Sequence, residues 1–305
     1  MKINIIHQSG YHASISLTSG FVNVIKDLGH EVDVFVSGKH DFHTGNKVQH
    51  RANFISFLKK PCDVLIVIGG SEKFTPLYSD PEVMMLFKEL PCIKVGFITE
   101  GLTSRSLIYE NTLKAVHLWT HIIVVDYIDE EIIRRHTNVP ILWIKGMVDE
   151  TFFKPIGLEK KYDIKFIGTV HLCRESYIEM LSGYPNFSLN EDVTNEEYVE
   201  LLDQSKILIG LPAPFKGFTG RVFEAMATKT LILNPYSSMR PLLLSVFSDD
   251  ELVTYGSDTD LLDKIDYYLA NLKERERIIE NAYKRVLSEF TCKKQIQRLL
   301  DFVMV

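Results

Sequence analysis

Short, unbroken apolar runs constrain this chain more than any other feature. Residues 64–68 read Val-Leu-Ile-Val-Ile, and residues 122–125 read Ile-Ile-Val-Val. Neither run alternates with polar residues, so each needs cover on both faces, as a central strand of a parallel sheet does. Both are far too short to span a membrane. Parallel neighbours require a crossover connection, usually a helix, and helical stretches do separate the runs.

The first half alternates throughout. Residues 2–6, 31–36, 64–68, 93–98, 122–125 and 141–144 read as strands. Residues 17–28, 54–60, 83–90, 107–119 and 130–135 read as helices. Val32, Val34 and Val36 alternate in the second strand, and residues 37–46, with two glycines and two histidines, read as a loop. This is the pattern of a doubly wound α/β sheet.

Residues 146–161, with Pro155, Gly157 and mixed charge, mark a boundary. The alternation then restarts. Strands are expected at 163–167, 187–189, 207–211 and 231–233, with a weaker one at 251–253. Helices are expected at 176–181, 195–204, 222–227, 261–269, about 273–287 and 293–302. The expected organisation is a Rossmann-like domain over 1–150, a second over 151–288, and a C-terminal helix over 289–305. Charges of both signs between Lys273 and Glu280 read as a solvated helix face.

The 305 residues are 46% hydrophobic and 24% charged, which suits two packed domains and excludes a disordered or disulfide-scaffold chain. A net charge of −6 argues against broad nucleic-acid binding. The cysteines Cys62, Cys92, Cys173 and Cys292 form no CxxC pair or zinc knuckle. Cys62 and Cys92 each follow a proline just before an apolar run and read as buried free thiols, which fits a reducing compartment. With no signal-peptide pattern at Lys2 and no transmembrane run, the reading is a cytoplasmic protein. His117 with His121, and His40 with His43, lack a third ligand, so no metal centre is expected. The chain contains no GxxxxGK[ST], GxSxG or HExxH motif.

The segment richest in chemistry is 211–234, L-P-A-P-F-K-G-F-T-G-R-V-F-E-A-M-A-T-K-T-L-I-L-N. A strand ends at Leu211, a Gly/Pro loop follows, and a helix begins at Arg221. Ligands of open α/β sheets sit beyond the C-terminal strand ends, where a helix start offers free N–H groups to an anion. Gly217 and Gly220 permit close backbone approach. Arg221 suits a phosphate or carboxylate, and Glu224 suits ligand hydroxyls. The spacing equally fits an i,i+3 surface pair.

The string G-R-V-F-E-A-M-A, followed by a strand ending in Asn-Pro, resembles the donor-binding half of GT-B glycosyltransferases. The opening M-K-I-N-I-I, with L-G-H-E-V-D-V-F after the first helix, is also similar to theirs. Among them the chain looks most like the spore-maturation-protein-like branch of the group 1 (GT4-like) enzymes. The resemblance implies two Rossmann-like domains with a cleft between them, and a last helix packing back on the first. It implies transfer of a sugar from a nucleotide-diphosphate donor, of UDP or GDP type, with retained configuration and no metal or other cofactor.

Carried over by motif, Glu224 holds the ribose hydroxyls. Lys216 stands where the family has a glutamate touching the sugar. Thr219, Gly220 and Arg221 lie against the sugar and diphosphate. Arg174 supplies the basic residue after the first strand of the second domain, in the patch containing Gly168 and His171. In the first domain Gly10, at the first strand mouth, joins the donor-binding residues. His12, Gly70 and Ser71 fall at strand mouths on the expected acceptor side, and Glu100 is the candidate base or acceptor-orienting carboxylate. The acceptor itself is not legible. Alternative readings are a non-catalytic nucleotide-sugar binding or structural module, and a DNA-base glycosyltransferase.

Overall fold

The computed structural model describes residues 1–9, 15–38, 47–69, 80–99, 113–170, 172–212, 219–236 and 246–304. The chain divides into two units, one of Met1–Lys145 with Lys293–Val305, the other of Gly146–Cys292.

In the first unit the elements run β1 (Lys2–Ser9), α1 (Ser19–Asp27), β2 (Glu31–Gly38), α2 (Lys47–Leu58), β3 (Val64–Ile68), α3 (Pro81–Glu89), β4 (Ile93–Ile98), β5 (His121–Val124), α4 (Tyr127–Arg134) and β6 (Ile141–Trp143). The sheet is parallel, ordered β2-β1-β3-β4-β5-β6. Every residue of β3 is buried, as its unbroken apolar run requires. α3 and α4 start where Asp80 and Asp126 accept hydrogen bonds from the first-turn N–H groups. α2 begins seven residues before its expected start, through the polar stretch Lys47–Asn53. Arg51 in that stretch is held by Asp80 and Glu82 at the head of α3. Of the expected helix at 107–119, residues 107–112 lie outside the described residues, while 113–118 are helical.

The second unit continues with β7 (Tyr162–Ile167), α5 (Leu172–Leu181), β8 (Phe187–Asn190), α6 (Asn195–Asp203), β9 (Ser205–Ile209), α7 (Gly220–Ala227), β10 (Leu231–Pro235), β11 (Val253–Tyr255), α8 (Asp258–Ala270) and α9 (Leu272–Glu289). Its parallel sheet is ordered β11-β10-β9-β7-β8. The core runs from Ile164, Phe166, Ile207, Ile209, Leu231 and Leu233 to Leu261, Ile265 and Ile278. β11 starts two residues later than expected, because Glu251 and Leu252 both donate to the Ser248 carbonyl in a turn. α9 buries Ile278, Ala282 and Val286 at four-residue spacing and carries ion pairs such as Arg277–Glu274 on its other face. Exposed pairs of this kind add at most about 1 kcal/mol each.

α10 (Cys292–Val303) ends the described chain, and from Lys293 it belongs to the first unit. Ile296, Leu299, Leu300 and Val303 form its buried stripe, and Phe302 meets His121 edge-on at 5.3 Å.

One buried charge in the second unit departs from ordinary core chemistry. Lys165, fully buried on β7, donates to Ser188 Oγ at 2.8 Å and Asn190 Oδ1 at 2.5 Å on β8. Its ammonium lies 3.9 Å from the centre of the Tyr162 ring. Burial lowers its pKa from 10.5 to about 8, with the Glu197 charge opposing. The unfolded chain keeps the proton to higher pH, so stability rises with pH between those two values. Relative to Lys165→Met, the native protein should gain about 2 kcal/mol between pH 7 and pH 9.5. Urea titrations of both proteins at the two pH values measure this, and a constant difference would mean an ordinary lysine.

Candidate functional site

Strand order reverses between β7 and β9 in the second unit, since β8 lies outside β7 and β10 outside β9. Open α/β sheets place ligands beyond the carboxyl ends of strands at such a switch point. Gly168 follows β7 there, Gly210 to Pro212 follow β9, and α7 starts at Gly220.

α7 begins differently from α6 and α8. The side chains of Thr194 and Ser257 cap α6 and α8, whereas that of Thr219 makes no capping bond, and no acidic residue lies in the first turn of α7. The positive end of the helix dipole is therefore left uncompensated by its own side chains. Gly220 is exposed, and a Cβ at that position would come 3.3 Å from Glu224 Oε1, so glycine keeps space around the carboxylate.

Glu224 is 8% exposed, one turn into α7. Tyr198 on α6 donates its hydroxyl to Glu224 Oε2 at 3.0 Å. Burial, reinforced by the Glu224 charge and opposed by Arg221, holds the Tyr198 phenol well above its ordinary pKa. It therefore stays a donor at any working pH. Tyr198→Phe removes this charge-assisted bond, worth about 1.5–3 kcal/mol. Part of that is recovered as Glu224 turns towards solvent, so a loss of about 1 kcal/mol in unfolding free energy is expected. No change would show that the phenol does not hold the carboxylate.

Arg221 and Arg174 approach one aromatic ring. Their guanidinium carbons lie 5.7 and 5.6 Å from the Phe166 centroid, Phe166 being the penultimate residue of β7. Arg221 lies against Gly168, where φ is +141° and a Cβ would stand 2.6 Å from Arg221 Nη2. Arg221 Nε is buried and finds no acceptor among the described residues. Arg174, 7% exposed in the first turn of α5, donates from Nε to the Pro212 carbonyl at 3.0 Å and from Nη1 to the Thr169 carbonyl at 2.7 Å. It thus ties the segment after β7 to the segment after β9. Tyr255 adds a further tie, its hydroxyl donating to the Gly210 carbonyl at 2.7 Å.

The structure therefore gathers Gly168, Arg174, Thr219, Gly220, Arg221 and Glu224 at one strand mouth. Arg221 and Glu224 are linked to one hydroxyl, that of Tyr198, as well as sharing a helix face. Lys216 and His171 lie outside the described residues, as do Gly10, His12, Gly70, Ser71 and Glu100 of the first unit. Sequence reasoning missed Tyr198 and Phe166. Phe166 could have been reached from its place two residues before Gly168, but Tyr198 carries no signal, being 26 residues from its partner. Among the described residues no group of three or more His, Cys, Asp or Glu is placed to hold a metal ion. None of their helices is long and apolar enough to cross a membrane.

Two carbonyl-anchored loops, two guanidiniums, an open helix start and a buried carboxylate can bind a ligand that carries an anionic group at one end and hydroxyls at the other. The chain belongs to the glycosyl transferase-like family, whose profile matches residues 145–301, more than half of its length. No curated protein matches the sequence. Among solved structures it is similar to sucrose-phosphate synthase (tll1590) from Thermosynechococcus elongatus, with a TM-score of 0.72 and 12% identity over 99% of this chain and 98% of that one. It is also similar to Anabaena HepE (Alr3699) in complex with UDP and glucose, with a TM-score of 0.69 and 12% identity over 100% and 99% of the chains. An alpha-glucosyltransferase in complex with UDP and a 13-mer DNA gives a TM-score of 0.69 and 13% identity over the whole of both chains. The fold is GT-B, two Rossmann-like units each built on a parallel sheet.

Proposed function

We propose that this chain is a glycosyltransferase that binds a nucleotide-diphosphate sugar at the strand mouth of its second unit and passes the sugar to an acceptor held by its first. The observation that carries the reading is Glu224, a carboxylate buried one turn inside an uncapped helix, fixed by Tyr198 and flanked by Arg221. Glu224 accepts the ribose hydroxyls. Arg221 Nε and the first N–H groups of α7 take the diphosphate. Arg174 holds the loops on either side and adds positive charge.

In the transfer, the bond between the anomeric carbon and the diphosphate oxygen breaks, and its electron pair leaves with the diphosphate. Positive charge develops on the sugar and negative charge on the leaving group, where the guanidiniums and helix start stabilise it more than in the ground state. That set of groups supports a metal-independent reaction. The complexes of HepE and the alpha-glucosyltransferase contain UDP, which favours a uridine donor here. The G-R-V-F-E-A-M-A string supports a place in the GT4-like group near its spore-maturation-protein-like branch, and with it retention of configuration. Lys216 is assigned to the donor's sugar or phosphate, and Glu100, His12, Gly70 and Ser71 to the acceptor side. Gly10 and His171 line the donor. The work of the enzyme is placed in the cytoplasm.

Thermal stabilisation of the purified protein by nucleoside diphosphates and nucleotide sugars tests this reading. One nucleotide series should raise the melting temperature of the native protein, and Glu224→Ala should abolish the rise. A flat response across the panel would overturn the proposal. Stabilisation without any release of sugar from the donor would instead point to a non-catalytic binding module.

A further inference from the structure

The first unit carries a pair of cysteines that the proposed reaction does not use. Pro61-Cys62 leads into β3 and Pro91-Cys92 into β4, which are adjacent parallel strands with Val64 opposite Ile93. The ladder extends back towards both thiols, because the Ile93 N–H donates to the Asp63 carbonyl at 3.0 Å. Both cysteines are free, half-buried and packed against the core of the unit. Their side chains hydrogen-bond to each other across 30 positions of sequence.

The hydrogen bond makes the two sulfurs unequal. The Cys62 pKa is pushed up, by that bond first and burial second. The Cys92 pKa is pulled down by the same bond, with a further contribution from Lys94 and against the effect of burial. Two thiols in contact at the heads of adjacent strands have the arrangement of an attacking and a resolving cysteine.

We propose that Cys62 and Cys92 form a thiol–disulfide exchange site that closes a reversible disulfide between the heads of β3 and β4 on reaction with a small-molecule disulfide of the glutathione class. The Cys92 thiolate attacks one sulfur of the small disulfide. One thiol leaves, and a mixed disulfide remains on Cys92. Cys62 then gives its proton to solvent and attacks Cys92 Sγ, expelling the second small thiol. The two protein thiols are oxidised by two electrons, and the small disulfide is reduced to two thiols. The bond closes a loop containing α3, so it also restrains the unfolded chain.

Equilibration of the full chain in buffers of oxidised and reduced glutathione, followed by acid quench, alkylation and peptide mass analysis, tests the proposal. The expected product joins the Cys62 and Cys92 peptides with a loss of about 2 Da, reverts with dithiothreitol and raises the melting temperature. Cys292, fully buried, should stay reduced throughout. Two variants separate the roles. Cys62→Ser should accumulate a stable glutathione adduct on Cys92, and Cys92→Ser should leave Cys62 reduced at neutral pH. Persistence of both thiols in the most oxidising buffer, or a Cys92 adduct in the native chain that never resolves, would overturn the proposal.

Discussion

Arg221→Met and Glu224→Ala should each weaken binding of the preferred nucleoside diphosphate by about 100-fold, and should do so for different reasons. Glu224 is buried, with one oxygen taken by Tyr198. Hydrogen bonds from ligand hydroxyls to a charged acceptor contribute about 1.5–3 kcal/mol each. Loss of the carboxylate therefore costs on the order of 2.7 kcal/mol, and it leaves the Tyr198 hydroxyl with one partner fewer. Arg221 offers a rigid donor fork braced on Phe166 and against Gly168. Methionine keeps the apolar contact with the ring and loses the charge. The two substitutions separate when the free nucleoside is titrated in place of its diphosphate. Arg221→Met should bind the nucleoside as the native protein does, and Glu224→Ala should bind it poorly. Calorimetric titration of both ligands into the three proteins reads the pattern. Equal losses for nucleoside and diphosphate in Arg221→Met would show that Arg221 does not serve the phosphates.

Gly146→Ala should lower the unfolding free energy of the second unit by about 3–5 kcal/mol, combining backbone strain with overpacking. Gly146 has a φ of +152°, and a Cβ there would fall 2.0 Å from Phe223 Cζ and 2.1 Å from Cε2. The ring cannot swing aside easily, because Phe247 and Phe290 stand 5.7 and 5.3 Å from its centroid and 5.3 Å from each other. Phe223 immediately precedes Glu224, so the same collision would disturb the start of α7. Gly157 is the natural control: its φ is +80°, but nothing lies within 4 Å of a Cβ there. Gly157→Ala should therefore cost only the backbone strain, about 1 kcal/mol. Urea denaturation of the two variants tests the contrast, and equal costs would place the strain in the backbone alone.

The pattern of elements was legible in the sequence because continuous apolar runs such as Val64–Ile68 admit few other structures. Their limits were less so. β1 continues to Ser9 through His7 and Gln8 because β2 pairs with it along its full length. That is a tertiary cause which no local pattern carries. β9 begins at Ser205 rather than at the first apolar residue, since Tyr162 opposite supplies its partner.

At the site, Gly220, Arg221 and Glu224 were readable because they share one helix start, where spacing fixes geometry. Arg174 was readable as a basic residue at a strand mouth, but not as the clamp on the Thr169 and Pro212 carbonyls, one of which lies 38 residues away. Tyr198 belongs to a helix reached by a separate crossover, and only the folded sheet brings it to Glu224. Cys62 and Cys92 read as buried free thiols; they are free but only half-buried, and it is the pairing of adjacent strands that brings them together.

A crystal structure of the protein with its preferred nucleoside diphosphate bound is the most direct test of where the donor sits. The account predicts ribose hydroxyls on the Glu224 carboxylate and phosphate oxygens on Arg221 and the first N–H groups of α7. A nucleotide bound instead in the hollow beside β11, lined by Tyr236, Asp249 and Tyr268, with Glu224 still bonded only within the protein, would contradict it.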